Sequence, residues 1–142
     1  MSTLEEDFER DGVVCLRQVF DPRWIEMLAR GVERLDATLD ACARELPPGS
    51  RFTRPEGGMN VWVRLPEPLD AAEMAARAAR EGVSFLPGSH FAVSRPQTQG
   101  LRLSFAGLDP EQIRSGLAIL GKILRTELDH TRERNGDTHV LV

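Results

Sequence analysis

The sequence predicts an α+β fold, in which a small sheet of about three strands is covered by helices and preceded by a helix–strand segment and a long amphipathic helix. Residues 59–65 and 101–105 alternate between apolar and polar side chains, as strands with one buried face do. Asp-Pro pairs at 21–22 and 109–110 each open a stretch with helical spacing of apolar residues. The order helix, strand, helix, strand, strand, helix from residue 22 onward favours helices packed on a sheet.

The strand around Trp62 organises the rest of this prediction. Gly57-Gly58 suits a bend before it, because glycine adopts backbone angles that other residues avoid, and Pro66 ends it. One face of the strand is apolar and the other is mixed. The apolar face consists of Met59, Val61, Val63 and Leu65, and the mixed face of Asn60, Trp62 and Arg64.

A long amphipathic helix is predicted over residues 22–46. At about 1.5 Å per residue it would be roughly 37 Å long, which is more than a domain of this size needs. Either it kinks near Gly31 or it lies along something larger. A packed helix is favoured over a coiled coil, since charges do not pair regularly beside the apolar seam. That seam consists of Ile25, Leu28, Val32, Leu35, Leu39, Cys42 and Leu46, at steps of three and four.

Shorter elements complete the prediction, each bounded by residues that start or stop helices and strands. In chain order they are a helix over 3–11, a Val-rich strand over 13–20, a capped helix over 70–81, a short strand over 83–86, a loop over 88–100, a final helix over 110–128 and a loose polar tail over 129–142.

Composition excludes several classes of function. The net charge of −4 has the wrong sign for nucleic-acid binding, and no basic cluster offsets it. No apolar run is long enough to span a bilayer, and the acidic N-terminus does not have the layout of a secretory signal. Cys15 and Cys42 form no Cys-x-x-Cys pattern, so reduced thiols and a cytoplasmic location are expected.

Five blocks in a fixed order resemble one enzyme family. They are Leu46-Pro47-Pro48-Gly49, Arg54 to Pro66 (RPEGGMNVWVRLP), Glu81 to Gly88 (EGVSFLPG), Leu101 to Ala106 (LRLSFA) and Gln112 to Leu124. Together they are similar to the C-terminal small domain of pyridoxal-phosphate-dependent class I/II (fold-type I) aminotransferases. The resemblance is greatest to 2-aminoadipate-type enzymes and to the aminotransferase-like half of GntR-type regulators. It covers residues 30–128.

The resemblance implies a role for one residue, Arg102. In the family, the arginine of the Leu-Arg-Leu-Ser-Phe block grips the α-carboxylate of the amino-acid substrate, and a guanidinium fork suits a carboxylate because two parallel hydrogen bonds form. Arg102 lies on the strand face opposite Leu101 and Leu103, so it can point into a cleft. The alternative is an arginine on an exposed strand face, solvated or ion-paired.

The sequence departs from the family at the cofactor. These enzymes hold pyridoxal phosphate as a Schiff base on a lysine of the large domain, and no segment here resembles that domain. Of the 18 Lys and Arg residues, Lys122 is the single lysine, and it matches no cofactor-lysine block. The family therefore implies pyridoxal phosphate, but this chain is not expected to bind it alone, and a solvated helix lysine is the expected state of Lys122.

Residues 1–29 resemble a different family. Asp7 to Val14 (DFERDGVV), followed by Val19-Phe20-Asp21-Pro22, is similar to the opening of phytanoyl-CoA dioxygenase-type proteins, which bind iron(II) through His-x-Asp and a distant histidine. No His-x-Asp or His-x-Glu occurs here. His130 and His139, with Asp129 and Asp137, are a weak metal-site alternative, and a polar tail is the simpler interpretation. The alternative for residues 1–29 is an ordinary helix–strand–helix start.

Three hypotheses follow. The first is an aminotransferase small domain, truncated or fused, that contributes Arg102 to a transaminase and is not catalytic alone. The second is a non-catalytic binding or oligomerisation module that docks through helix 22–46. The third is the remnant of an iron(II)/2-oxoglutarate dioxygenase. The domain organisation that goes with the first is an N-terminal segment over 1–29, the small domain over 30–128 and a tail over 129–142.

Overall fold

The computed structural model describes residues 3–94 and 97–136 of the chain, which divides into two compact units between Arg30 and Gly31. The first unit contains helix α1 (Leu4–Asp11) and the start of helix α2 (Pro22–Glu45). Both helices were predicted to within one residue of these bounds. Among the described residues, no helix is long and apolar enough to cross a membrane.

Helix α1 is capped at both ends. Thr3 and Glu6 cap its start reciprocally, and Gly12 ends it with a left-handed backbone at φ 69°.

The segment between α1 and α2 differs from the prediction. The Val-rich run over 13–20 was expected to form a strand, and this is wrong: its residues form no strand, and Gln18 has a positive φ of 57° within a turn. A strand needs a partner for its backbone hydrogen bonds, and no described strand pairs with this run.

The second unit contains an antiparallel sheet, so the α+β class is confirmed, with four strands instead of three. The strands are β1 (Arg51–Phe52), β2 (Asn60–Arg64), β3 (Leu86–Pro87) and β4 (Gly100–Ser104), and the remaining helices are α3 (Ala71–Arg80) and α4 (Pro110–Gly136). The strands lie in the sheet in the order β1-β2-β4-β3. The extra strand, β1, has two residues, which is too short to give an alternation in the sequence.

The hydrophobic core lies on one face of this sheet. Val61 and Val63 of β2 and Leu101 and Leu103 of β4 are buried there, in one cluster with the apolar residues of the three helices. The helix residues of the cluster include Leu35, Ala41 and Cys42 of α2, Ala71, Met74 and Ala78 of α3, and Ile113, Leu117, Leu120, Leu124 and Leu128 of α4. The opposite face, called the open face below, carries the even-numbered residues of β2 and β4, and all of these except the buried Gly100 are exposed or partly exposed.

Two predicted boundaries are wrong. The strand expected over 83–86 is β3 at Leu86–Pro87, where it pairs with β4 through Leu86 and Arg102. The polar tail was expected to begin at residue 129, but α4 continues as a helix to Gly136. Long polar helical extensions carry no apolar periodicity, so the sequence pattern does not detect them. Residues 137–142 of the predicted tail lie outside the described part of the chain.

The helix starts predicted from aspartate residues are confirmed for α3 and α4. Asp70 Oδ1 accepts hydrogen bonds from the amides of Ala72 and Glu73 at 2.8 and 3.2 Å. Asp109 Oδ1 accepts from Glu111 and Gln112 in the same way, at 2.9 and 2.8 Å. These caps satisfy amide groups that have no partner inside a helix.

The C-terminal end of α2 is fixed against α4. Arg125 Nη1 donates to the carbonyl oxygen of Glu45 at 2.5 Å, which satisfies a carbonyl left free at the helix end. Beside it, Gly121 lets the two backbones approach closely, since a Cβ atom at this position would overlap the carbonyl oxygen of Glu45. This contact holds the helical layer of the second unit together.

Candidate functional site

Arg102 lies in the middle of β4, on the open face of the sheet. Its neighbours across the ladder are Trp62 on β2 and Leu86 on β3. Leu101 and Leu103, on either side of it, point into the core, so Arg102 must point away from the core. The prediction that Arg102 lies on the strand face opposite Leu101 and Leu103 is therefore confirmed.

The guanidinium of Arg102 is held without an acidic partner. Within the described residues it forms no ion pair, and its Nε is buried and has no hydrogen-bond partner. Its Cζ lies over the ring of Phe91, 4.9 Å from the ring centroid. The residue as a whole is partly exposed. Because Nε is enclosed, the two Nη groups are the donors left to bind an anion.

The Phe91 ring, which contacts this guanidinium, belongs to an aromatic pair with Trp62. The rings of Trp62 and Phe91 meet edge to face, with centroids 5.7 Å apart and an interplanar angle of 75°. The Trp62 ring also covers Gly100: a Cβ atom built there would lie 2.6 Å from Cζ2 of the indole. Phe91 follows a single 3₁₀ turn over Gly88–His90, in the segment that was predicted to be a loop.

The open face carries two further arginines that sequence reasoning did not single out. Arg64 lies opposite Gly100 on β4 and opposite Arg51 on β1, so all three arginines share this face. Arg64 donates to the Gln99 side chain at 3.5 Å, and none of the three forms an ion pair with a described carboxylate. The face is thus cationic although the whole chain is acidic. The alternation of residues 60–64 places Arg64 on the face of Trp62, which was the available signal.

The described residues place no lysine amine on the face of the sheet that carries Arg102. A Schiff base with pyridoxal phosphate forms on a lysine amine. Lys122 is exposed on α4, a helix that packs on the core face of the sheet, whereas Arg102 lies on the open face. The sheet therefore separates the Lys122 amine from the Arg102 guanidinium.

A metal site finds no support in the part of the chain that the structure describes. No group of three or more His, Cys, Asp and Glu side chains there could hold a metal ion. Of the weak metal-site alternative, Asp129 and His130 are exposed residues of α4, and Asp137 and His139 lie outside the described residues.

Comparison with known proteins decides the family. The model of the family described as aminotransferase class I and II matches residues 21–120. The chain belongs to the class I and II aminotransferases. The family depends on pyridoxal phosphate, and its small domain has this α+β architecture. The predicted resemblance is therefore confirmed for this part of the chain, whereas nothing supports the dioxygenase-like interpretation of residues 1–29.

Individual relatives agree with this assignment. The 2-aminoadipate transaminase of Thermus thermophilus is 44% identical over 93 residues, which are 66% of this chain and 23% of the relative. YdcR of Escherichia coli, described as an uncharacterized HTH-type transcriptional regulator, is 29% identical over 68% of this chain and 20% of its own length. The match of this aminotransferase-family chain thus spans only a fifth to a quarter of the length of these two relatives.

A solved structure confirms the architecture. LysN, the α-aminoadipate aminotransferase of Thermus thermophilus, was crystallised in complex with N-(5'-phosphopyridoxyl)-L-leucine. It superposes on this chain with a TM-score of 0.72 at 39% sequence identity, and the match covers 80% of this chain and 29% of that one.

Proposed function

We propose that this chain supplies the carboxylate-binding arginine of a pyridoxal-phosphate-dependent amino-acid aminotransferase, and that Arg102 is that arginine. The observation that carries the proposal is the state of Arg102: the residue is partly exposed, its guanidinium lacks an acidic partner among the described residues, and it lies on the open face of the sheet with Arg51 and Arg64. A planar fork in this state suits the α-carboxylate of an amino acid, through Nη1 and Nη2.

We propose further that the chain is one piece of such an enzyme, truncated or fused, and is not catalytic alone. It spans 23% of the 2-aminoadipate transaminase that it matches, and its single lysine lies on the other side of the sheet from Arg102. Pyridoxal phosphate would then bind to the part of the enzyme that corresponds to the rest of the relatives. The two free cysteines, Cys15 and Cys42, favour a reducing compartment such as the cytoplasm.

Side-chain nuclear magnetic resonance tests the role of Arg102. L-alanine and L-alaninamide differ in the carboxylate, so L-alanine should shift the Nε–Hε signal of Arg102 and L-alaninamide should not. Arg102→Gln should abolish carboxylate binding, and Arg102→Lys should weaken it strongly, because lysine keeps the charge but loses the fork. Equal responses to the two compounds, or a response that survives in Arg102→Gln, would contradict the proposal.

Absorbance spectroscopy tests whether Lys122 forms a Schiff base with pyridoxal phosphate. With equimolar pyridoxal phosphate, the chain should leave the spectrum of the free aldehyde unchanged, and borohydride reduction followed by mass spectrometry should find no stoichiometric pyridoxyl group on Lys122. A Lys122→Arg variant is the matched control, since it keeps the charge and removes the amine. Stoichiometric modification of Lys122 would show that the chain carries its own cofactor lysine.

The second candidate is a docking role for helix 22–46, and one observation favours it. Trp24, Ile25 and Leu28 form an apolar patch within the first turns of α2, and they are 58%, 53% and 65% exposed. Large apolar side chains that are exposed side by side mark interaction surfaces. We propose that the rest of an aminotransferase covers this patch, because the relatives carry a further three quarters of their length outside the matched region.

Light scattering tests the docking patch and separates its possible occupants. If a second copy covers the patch, the chain alone should form a defined oligomer that Leu28→Glu converts to monomer. If the rest of an aminotransferase covers it, the chain should be monomeric alone, and Leu28→Glu should prevent its co-purification with the large domain. Glu26→Gln, on the same helix but outside the patch, is the control that should change neither result.

A further inference from the structure

We propose that Phe91 and Trp62 form an aromatic bracket that holds the guanidinium of Arg102 in one orientation, ready for a carboxylate. Phe91 and Trp62 are positioning residues in this proposal, since they act through Arg102. The inference deepens the proposed function and rests on it for the ligand, but the bracket itself can be tested without any ligand.

The first contact of the bracket is between Phe91 and the cation. Cζ of Arg102 lies 4.9 Å from the centroid of the Phe91 ring and over its face. The negative potential of an aromatic face attracts a cation in this position. Arginine has several rotatable bonds, so without the ring its guanidinium would sample many orientations. The Phe91 ring thus reduces the number of orientations open to Arg102.

The second contact fixes Phe91. Phe91 is 44% exposed, so the core does not immobilise its ring. The edge-to-face contact with Trp62, at 5.7 Å, supplies the missing support. Trp62 lies directly opposite Arg102 on the neighbouring strand. This one cross-strand pair therefore provides both the guanidinium and the ring that supports Phe91.

The third contact is between Trp62 and Gly100, which has no side chain and so leaves room for the indole ring. A Cβ atom at this position would lie 2.6 Å from Cζ2 of the indole, so any other residue would displace the ring. Gly100, Trp62, Phe91 and Arg102 therefore form a continuous series of contacts. The buried, unpaired Nε of Arg102 lies at its end. Because the aromatic ring covers one face and Nε is enclosed, the carboxylate must approach Nη1 and Nη2.

This arrangement has a defined effect on binding. A group that is already oriented loses less conformational freedom when the ligand arrives, so removing the ring should weaken binding without abolishing it. We expect Phe91→Leu to weaken binding of L-alanine about threefold to tenfold, since cation–π contacts at exposed sites are modest. Phe91→Trp, which keeps an aromatic face, should restore the affinity.

Nuclear magnetic resonance without ligand tests the bracket directly. The ring current of Phe91 should move the side-chain proton signals of Arg102 upfield, and Phe91→Leu should return them to ordinary values. The matched control is Phe52→Leu: Cζ of Arg54 lies 5.1 Å from the Phe52 centroid, an equivalent pair elsewhere in the fold. This control should change the signals of Arg54 and leave both the signals and the carboxylate affinity of Arg102 unchanged.

The possible outcomes separate the two proposals. If the wild type shows the ring-current shift but no response to L-alanine, the bracket exists and the proposed ligand is wrong. If Phe91→Leu changes neither the Arg102 signals nor the affinity, the bracket is overturned. Gly100→Ala provides an independent variant, because it displaces Trp62 and should reduce the Arg102 shift in a protein that circular dichroism shows to be folded.

Discussion

The two cysteines differ in their surroundings, and their reactivity should differ accordingly. Cys42 is 1% exposed within the core, and burial raises the pKa of its thiol to about 12, an effect only partly offset by the charge of Arg54. Cys15 is exposed. The thiolate is the reactive form of cysteine, and a thiol that titrates this high supplies almost none at neutral pH.

We therefore expect a disulfide reagent such as DTNB, at mildly alkaline pH, to modify one thiol per native chain rapidly. The second thiol should react only when the chain unfolds. In a Cys15→Ser variant the fast phase should disappear, whereas Cys42→Ala should keep it. Rapid modification of two thiols in the native chain would show that Cys42 is accessible.

At the level of elements, two glycines of α4 meet different surroundings. A Cβ atom at Gly121 would overlap the carbonyl of Glu45, whereas a Cβ atom at Gly116 would meet nothing within 4 Å. Alanine favours a helix over glycine by roughly 1 kcal/mol. The same substitution should therefore have opposite effects on stability at these two positions of one helix.

We expect Gly116→Ala to raise the free energy of unfolding by roughly 0.5–1 kcal/mol, because only the helix propensity changes. Gly121→Ala should lower the free energy of unfolding by about 1–3 kcal/mol, because α2 and α4 must move apart. Urea denaturation followed by circular dichroism measures both. Destabilisation by both variants would mean that α4 does not lie where the structure places it.

An ion pair connects α3 with α4. Glu127, whose side chain is 9% exposed, accepts hydrogen bonds from Arg77 and, at 3.5 Å, from Arg134. Removing the carboxylate would leave the Arg77 donors without this acceptor. Glu127→Ala should thus lower the free energy of unfolding by about 1–3 kcal/mol, and Glu127→Gln should lower it less. The control is the exposed Glu133 on the same helix, whose change to alanine should stay within about 0.5 kcal/mol.

The sequence correctly predicted the features that depend on a local residue type or on the spacing of apolar residues. The helix at α2, the aspartate caps and the alternation in β2 and β4 were predicted because caps and periodic apolar faces are local properties. The strand predicted over 13–20 was wrong because strand formation depends on a partner elsewhere in the chain. Likewise β1 and β3, of two residues each, exist through pairing alone.

The candidate site was predictable in part. The alternation around Arg102 placed it on the open face of the sheet, and the resemblance to aminotransferases supplied its proposed role. Phe91 was not predicted, because it lies in an irregular segment where no period indicates the direction of a side chain. Its contact with Arg102 results from the path of the chain after residue 88, which the sequence pattern does not encode locally.

On the scale of the whole molecule, the division between Arg30 and Gly31 has a consequence for stability. Every residue of the hydrophobic core cluster is numbered 35 or higher, and no residue of α1 is buried. A chain shortened to residues 31–142 should therefore unfold cooperatively, with a midpoint close to that of the full chain. Thermal unfolding followed by circular dichroism provides the measurement.

A second truncation serves as the control. A chain that begins at Leu46 lacks Leu35, Ala41 and Cys42, which are at most 7% exposed. Removing these side chains opens a large cavity on the core face, so this chain should show no cooperative transition. If the chain shortened to 31–142 also loses its transition, the first thirty residues are required for the fold.

The single lysine offers a practical advantage. Lys122 is exposed on α4, and the other cationic side chains are all arginines, which amine-reactive dyes do not modify. An activated-ester fluorophore would thus label one side-chain position, on the opposite side of the sheet from Arg102. Energy transfer from that dye to an acceptor on a separately purified aminotransferase large domain would test the proposed assembly of the two polypeptides, and the dye would lie away from the sheet face that carries Arg51, Arg64 and Arg102.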